Sequence, residues 1–187
     1  QKKAFPNQIL AVTFTNKAAK EMQIRVSKIL GKEAIGLSWL GTFHSISAKI
    51  LRKHAQAVGL KSNFSIIDQD DQLRLIKNIS KAENIDTKKI SPNVIQSTID
   101  RWKNKGWYPD DVVLKKRDPL EKSFLEIYRI YQSKLTDLNS TDFGDLILHC
   151  VKIFEKNKDI SEIYSKNFKY ILVDEYQDTN FIQSKWL

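Results

Sequence analysis

The chain has 187 residues, 41% of them hydrophobic, with 31 Lys and Arg against 22 Asp and Glu for a net charge of +9. That length and apolar share suit a globular fold with one sizeable core or two small ones. No run approaches the roughly 18 apolar residues of a membrane helix and no basic-then-apolar leader opens the chain, so a cytosolic protein with no membrane partner is expected. The basic balance favours a polyanionic partner, and the single Cys150 excludes an internal disulfide.

In chain order, Ile9 to Phe14 (ILAVTF) reads as a strand buried on both faces, the pattern of a parallel sheet. A polar turn follows, then a helix with Ala18, Met22, Val26 and Ile29 at helical spacing and Thr15 or Asn16 placed to cap it. Such a turn offers the N–H groups of a helix start and the hydroxyls of Thr13 and Thr15 to a phosphate; ordinary capping explains the same residues equally well. Gly36 to Leu40 reads as a short strand, running through Gly41, Thr42, Phe43 and His44 into a helix with Ile46, Ile50, Leu51, Ala55 and Val58.

From about Phe64 to Phe168 the texture is helical. Asp68 is placed to cap a helix carrying Leu73, Ile76 and Ile79, and Ser91 with Pro92 opens another carrying Ile95, Ile99 and Trp102. Leu120, Phe124, Tyr128, Tyr131, Leu135 and Leu138 form the longest amphipathic stripe, more plausible as core than as a row for stacking bases. Phe143, Leu146, Ile147, Cys150 and Phe154 form one more, with Ser140 or Thr141 expected at its start. Cys150 on that apolar face reads as a buried inert thiol, and His44, His54 and His149 lack partners at zinc-ligand spacing. Arg101, Lys103, Lys105, Lys115, Lys116 and Arg117, with Trp102, Trp107 and Tyr108 nearby, fit either a solvated loop or a grip on phosphates and unpaired bases.

The informative stretch is Tyr170 to Asn180, YILVDEYQDTN. Its four apolar residues read as a second strand buried on both faces, stopping at Asp174 and Glu175. Carboxylates at the carboxyl end of a parallel strand sit where ligands collect, one able to hold a nucleotide's Mg²⁺ and the next to polarise a water. Read locally, the acids precede a helix at Phe181 capped by Asp178, Thr179 or Asn180.

The longer strings decide between these readings. DEYQDTN resembles the Walker B motif of UvrD/Rep/PcrA-like superfamily I DNA helicases, AVTFTNKAAKEM looks like their motif Ia, and GTFHSISAKILRKHA like motif Ib. Pieces such as IIDQDDQLRLIK and STDFGDLI resemble their inserted helical subdomain 1B. The resemblance implies an α/β fold: a partial RecA-like P-loop NTPase parallel sheet (domain 1A, residues 1–42 and 169–187) with a mainly α-helical insert (1B, residues 43–168). It implies that Asp174 holds Mg²⁺, usually through water, that Glu175 is the general base, and that Gln177 and Asp178 couple the nucleotide to the DNA track. It assigns Thr13, Phe14, Thr15 and Asn16, with Phe14 stacking, and Thr42, Phe43 and His44 to single-stranded DNA.

The expected activity is ATP-dependent translocation and unwinding in repair or replication, with ATP and Mg²⁺ as ligands and single-stranded and forked DNA as partners. A helicase-nuclease motor and a non-catalytic nucleic-acid-binding module are the alternatives. A phosphate loop GxxxxGK[ST] does not occur, the only Gly-Lys pair being Gly31-Lys32 followed by Glu33. In the family that loop precedes motif Ia and a further arginine follows Walker B, so an internal fragment, monomeric and without ATPase of its own, is expected.

Overall fold

The computed structural model describes residues 3–31, 37–85, 90–114 and 119–187. Gly36 of the expected second strand, and Lys115, Lys116 and Arg117 of the basic cluster, lie outside the described residues.

Three short strands form a parallel sheet: β1 (Ile9–Thr13) in the centre, β2 (Leu40–Thr42) on one side and β5 (Tyr170–Val173) on the other. Val12 pairs with both Gly41 and Val173, and Thr13 with Thr42, so the carboxyl ends of all three strands lie side by side. Leu10, Ala11 and Val12 are buried, as a strand with neighbours on both sides requires. Strand β5 departs from its expected burial: Tyr170, Ile171 and Leu172 are 46%, 45% and 57% exposed. It borders a single strand, so one edge and much of its side-chain surface lack cover among the described residues.

Helix α1 (Asn16–Leu30) starts where Thr15 Oγ1 accepts from the Ala18 N–H at 3.1 Å. Its stripe is only half covered: Ala18, Met22 and Val26 are half-buried and Ile29 is exposed, because among the described residues α1 packs mainly along β1 and β2. Helix α2 (Phe43–His54) starts at Thr42 with a reciprocal cap, Thr42 Oγ1 accepting from Ser45 N–H and Ser45 Oγ from Thr42 N–H. Gly41 makes room for that cap, since a Cβ there would lie 2.6 Å from Ser45 Oγ.

Between these flanks lie a two-residue strand β3 (Ser65–Ile66), α3 (Gln69–Ala82), α4 (Pro92–Asn104), α5 (Pro119–Asp137), β4 (Ser140–Thr141), α6 (Phe143–Lys156) and α7 (Lys158–Asn167). Asp68 caps α3 and Pro92 opens α4 as expected. Ser140 and Thr141 do not cap α6. They pair in parallel with Ser65 and Ile66, and the cap falls to Asp142, whose Oδ1 accepts from the Asp145 N–H at 2.8 Å. A ladder this short leaves no alternating pattern to read, and α7 was likewise not anticipated.

The chain closes on α8 (Phe181–Trp186). Two apolar clusters result. One joins the sheet to α2, α6, Tyr164 of α7 and α8; the other is built from α3, α4 and α5, with Tyr128 and Tyr131 wholly buried. Packing thus groups α2, α6 and α7 with the sheet, whereas the expected helical insert ran from 43 to 168. The aromatic stripe of α5 is core, although Leu120 and Leu138 at its two ends are exposed. Cys150 is buried, its Sγ donating to Ser47 O at 3.2 Å, and burial pushes the thiol up to about 12.

Candidate nucleotide and DNA site

At the carboxyl edge of the sheet the Asp174 N–H donates to Val12 O at 3.0 Å, extending the pairing of β5 by one residue. This sets the Asp174 carboxylate beside the end of β1, where Thr13 Oγ1 donates to Asp174 Oδ2 at 3.4 Å. Glu175 follows with φ +54°, a left-handed conformation that a non-glycine residue adopts at a cost of about 1–2 kcal/mol. The turn leads into one 3₁₀ turn, Tyr176–Asp178, and both carboxylates stay exposed. Gln177 Nε2 donates to Glu175 Oε2, and the Asp178 N–H donates to Glu175 O at 2.9 Å. Gln177 thus meets the Glu175 side chain, while Asp178 meets the backbone of the turn. Asn180, not Asp178 or Thr179, caps α8, its Oδ1 accepting from Gln183 N–H at 3.0 Å.

The donor set suits a hard divalent cation of modest protein coordination. Asp174 and Glu175 are consecutive residues and both are exposed at the sheet edge, and Mg²⁺ characteristically retains several waters beside one or two carboxylates.

The two turns expected to meet DNA lie next to this edge, because Thr13 and Thr42 are paired across β1 and β2. Their side chains divide. Thr15 and Asn16 are exposed and Phe14 and His44 half-buried, all open to a ligand. Thr13 and Thr42 are buried, their hydroxyls engaged by Asp174 and by the α2 cap. Phe43, expected at the DNA surface, is only 1% exposed. As the first residue of α2 it turns inward, its ring 5.4 Å from Phe14 and 5.7 Å from Trp186, so it is the floor on which Phe14 rests. Burial keeps the His44 imidazole below its ordinary value and hence neutral at pH 7.

One aromatic was missed: Phe143, 48% exposed at the start of α6, with its ring 5.8 Å edge-on from His44. It belongs to an apolar stripe that is otherwise core, so only its place at the first helical position marks it as different.

The basic cluster is corrected at Lys103. Its ammonium is not at the surface but 2.5 Å from Asp142 Oδ2 and 2.8 Å from Asp145 Oδ1, with all three side chains buried. Tyr131 Oη donates to Asp142 Oδ2 at 2.7 Å and Gln132 Nε2 to both Asp145 oxygens. Two carboxylates against one ammonium are tolerable because they sit in the first turn of α6, where the helix dipole favours negative charge. Desolvation would drag the Lys103 pKa down, but attraction to the two carboxylates wins and holds it above its ordinary value; Asp142, despite burial, is held low by Lys103. The periodicity carried the signal, since Ile95, Ile99 and Lys103 fall four residues apart on the buried face of α4. Arg101 and Lys105 remain exposed, Lys105 Nζ lying 4.8 Å from the Trp107 ring. His149 Nδ1 pairs with the Tyr108 hydroxyl, and His54 Nε2 pairs with Tyr164 Oη at 3.1 Å.

Comparison with known proteins gives this geometry a context. The family model of the UvrD/REP helicase N-terminal domain matches residues 1–187. The whole chain is 46% identical to a probable DNA helicase II homolog of Rickettsia conorii, covering 28% of it, and 45% identical to DNA helicase II of Rickettsia typhi. Over 98% of its length it is 42% identical to the ATP-dependent DNA helicase PcrA of Staphylococcus epidermidis, covering 25% of that protein. The chain thus spans about a quarter of the length of these curated relatives. With its parallel sheet, its carboxylate pair at the strand ends and a match over every residue, the chain belongs to the UvrD/REP helicase family and lies in that family's N-terminal domain.

Proposed function

We propose that the protein carrying this chain is an ATP-dependent DNA helicase that moves on single-stranded DNA in the cytoplasm, in repair or replication. The observation that carries the reading is the Asp174–Thr13 contact, which joins the carboxylate pair to the first residue of the Thr13–Asn16 turn. In this reading Asp174 holds Mg²⁺, which when bound neutralises phosphate charge, and Glu175 takes the proton of the attacking water. Gln177 keeps the Glu175 carboxylate in place. Phe14, supported from below by Phe43, stacks on a base, with Thr15, Asn16 and His44 along the same strand and Phe143 beside His44. No helix among the described residues is long and apolar enough to cross a membrane.

The test is DNA-stimulated ATP hydrolysis and strand separation by the full-length protein; absence of both overturns the reading. The isolated 187-residue chain is expected to show no ATP hydrolysis above background, because it contains no GxxxxGK[ST] to cradle the phosphates and a carboxylate pair alone cannot assemble the site. Steady DNA-stimulated phosphate release from the purified chain would contradict this.

Phe14→Ala in the full-length protein should weaken single-strand binding by roughly 1–3 kcal/mol, the worth of one stacked base. The slope of log affinity against log salt should hardly change, because no phosphate contact is removed. Thermal melting run in parallel guards the interpretation: a loss of about 3–5 kcal/mol in stability with normal DNA affinity would mark Phe14 as a core residue instead.

A further inference from the structure

The C-terminal end of α4 touches both halves of this site through consecutive residues. Lys103 binds Asp142, the cap of α6, and Asp142 directly precedes Phe143, whose ring meets His44. The next residue, Asn104, accepts through Oδ1 from Asn180 Nδ2 at 3.1 Å, and Asn180 both caps α8 and ends the segment that begins at Asp174. Two residues on, Gly106 has φ +77°, and a Cβ there would lie 3.1 Å from Ile182 Cδ1 and 3.8 Å from the Phe181 ring, so α8 sits in the space that the missing side chain leaves. The contacts close into a ring. From α8, Trp186 packs on Phe43, Phe43 on Phe14, and the turn at His44 returns to Phe143.

We propose that the Lys103–Gly106 turn is a positioning element that couples the carboxylate segment to the DNA-facing start of α6. The proposal rests on the function given above. Lys103 is the fixed end: buried, charged and held by two carboxylates of one helix, it moves only together with the first turn of α6. Asn104 is the adjustable end, a single exposed hydrogen bond to the segment that follows the carboxylates. A displacement of Asp174–Asn180 that accompanies the state of the nucleotide is thereby passed to Phe143, and DNA held at Phe143 biases the carboxylate segment in return, as reciprocity between linked sites requires.

The test uses full-length protein with Asn104→Ala, which removes the hydrogen bond and leaves the buried ion pair whole. Three quantities are compared with the unsubstituted protein: ATP turnover without DNA, ATP turnover with saturating oligo-dT, and oligo-dT affinity. Stimulation by DNA is expected to fall about fivefold or more, with basal turnover, affinity and melting temperature close to unchanged. Asn104→Asp keeps the acceptor and should restore stimulation, which a role in folding alone does not predict. Undiminished stimulation in Asn104→Ala overturns the proposal, as does an equal fall in basal and stimulated turnover. Absence of stimulation in the unsubstituted protein instead overturns the function on which it rests.

Discussion

Replacing Glu175 by Gln in the full-length protein is expected to lower ATP turnover by about 10²-fold or more while ATP still binds. Gln has nearly the same shape, and its side-chain oxygen still accepts from Gln177 Nε2, so the turn at the end of β5 keeps its geometry. In the role proposed for Glu175, what disappears is the proton acceptor. Asp174→Asn separates the two acids: it should weaken metal-dependent nucleotide binding first, because Asp174 is the carboxylate held beside Thr13 at the strand end. Pre-steady-state nucleotide binding and steady-state phosphate release distinguish the two defects. Turnover that survives Glu175→Gln would move the base elsewhere.

Lys103→Met should destabilise the fold of this chain by about 3–5 kcal/mol, because it leaves two buried carboxylates without their cation. For a chain of this size that corresponds to a fall in melting temperature of roughly 6–20 °C. The cause is uncompensated charge rather than lost volume. Adding Asp142→Asn and Asp145→Asn to Lys103→Met should therefore recover a good part of the loss, the more so because Asn is also an effective helix cap.

The pH profile follows from the same pair. The Asp142 pKa is lowered from 3.8, so its contribution is present above that value and lost as pH falls through the folded one. The Lys103 pKa is raised from 10.5, so its contribution is present below that value and lost only as pH rises through the folded one. The pair is whole across the neutral range, and its acid limb should vanish in the triple variant.

Strand β1, the two strand-to-helix turns and the carboxylate pair were legible because each is a local pattern: an unbroken apolar run, a capping residue, two acids where the run stops. The family strings then supplied the chemistry that local pattern left open. What was not legible was sidedness. An aromatic at a helix start looks the same whether it turns to solvent, as Phe143 does, or into the core, as Phe43 does; the crossing of α2 over the sheet decides. A lysine among exposed lysines looks cationic and free, yet Lys103 lies beneath α6 because α4 and α6 cross there. Strand β5 shows the converse, since its composition describes a strand enclosed on both faces and, among the described residues, its neighbours enclose it on one side only.

That half-open strand bears on how the chain behaves in a tube. Along the side of β5 that pairs with no strand among the described residues, backbone N–H and C=O groups are a template for another strand, and Tyr170, Ile171 and Leu172 supply apolar side chains beside them. Concentrated preparations of these 187 residues are therefore prone to edge-to-edge aggregation through β5, despite a net charge of +9 that otherwise keeps copies apart. A lysine in place of Leu172, the most exposed of the three, is the natural gatekeeper against such growth.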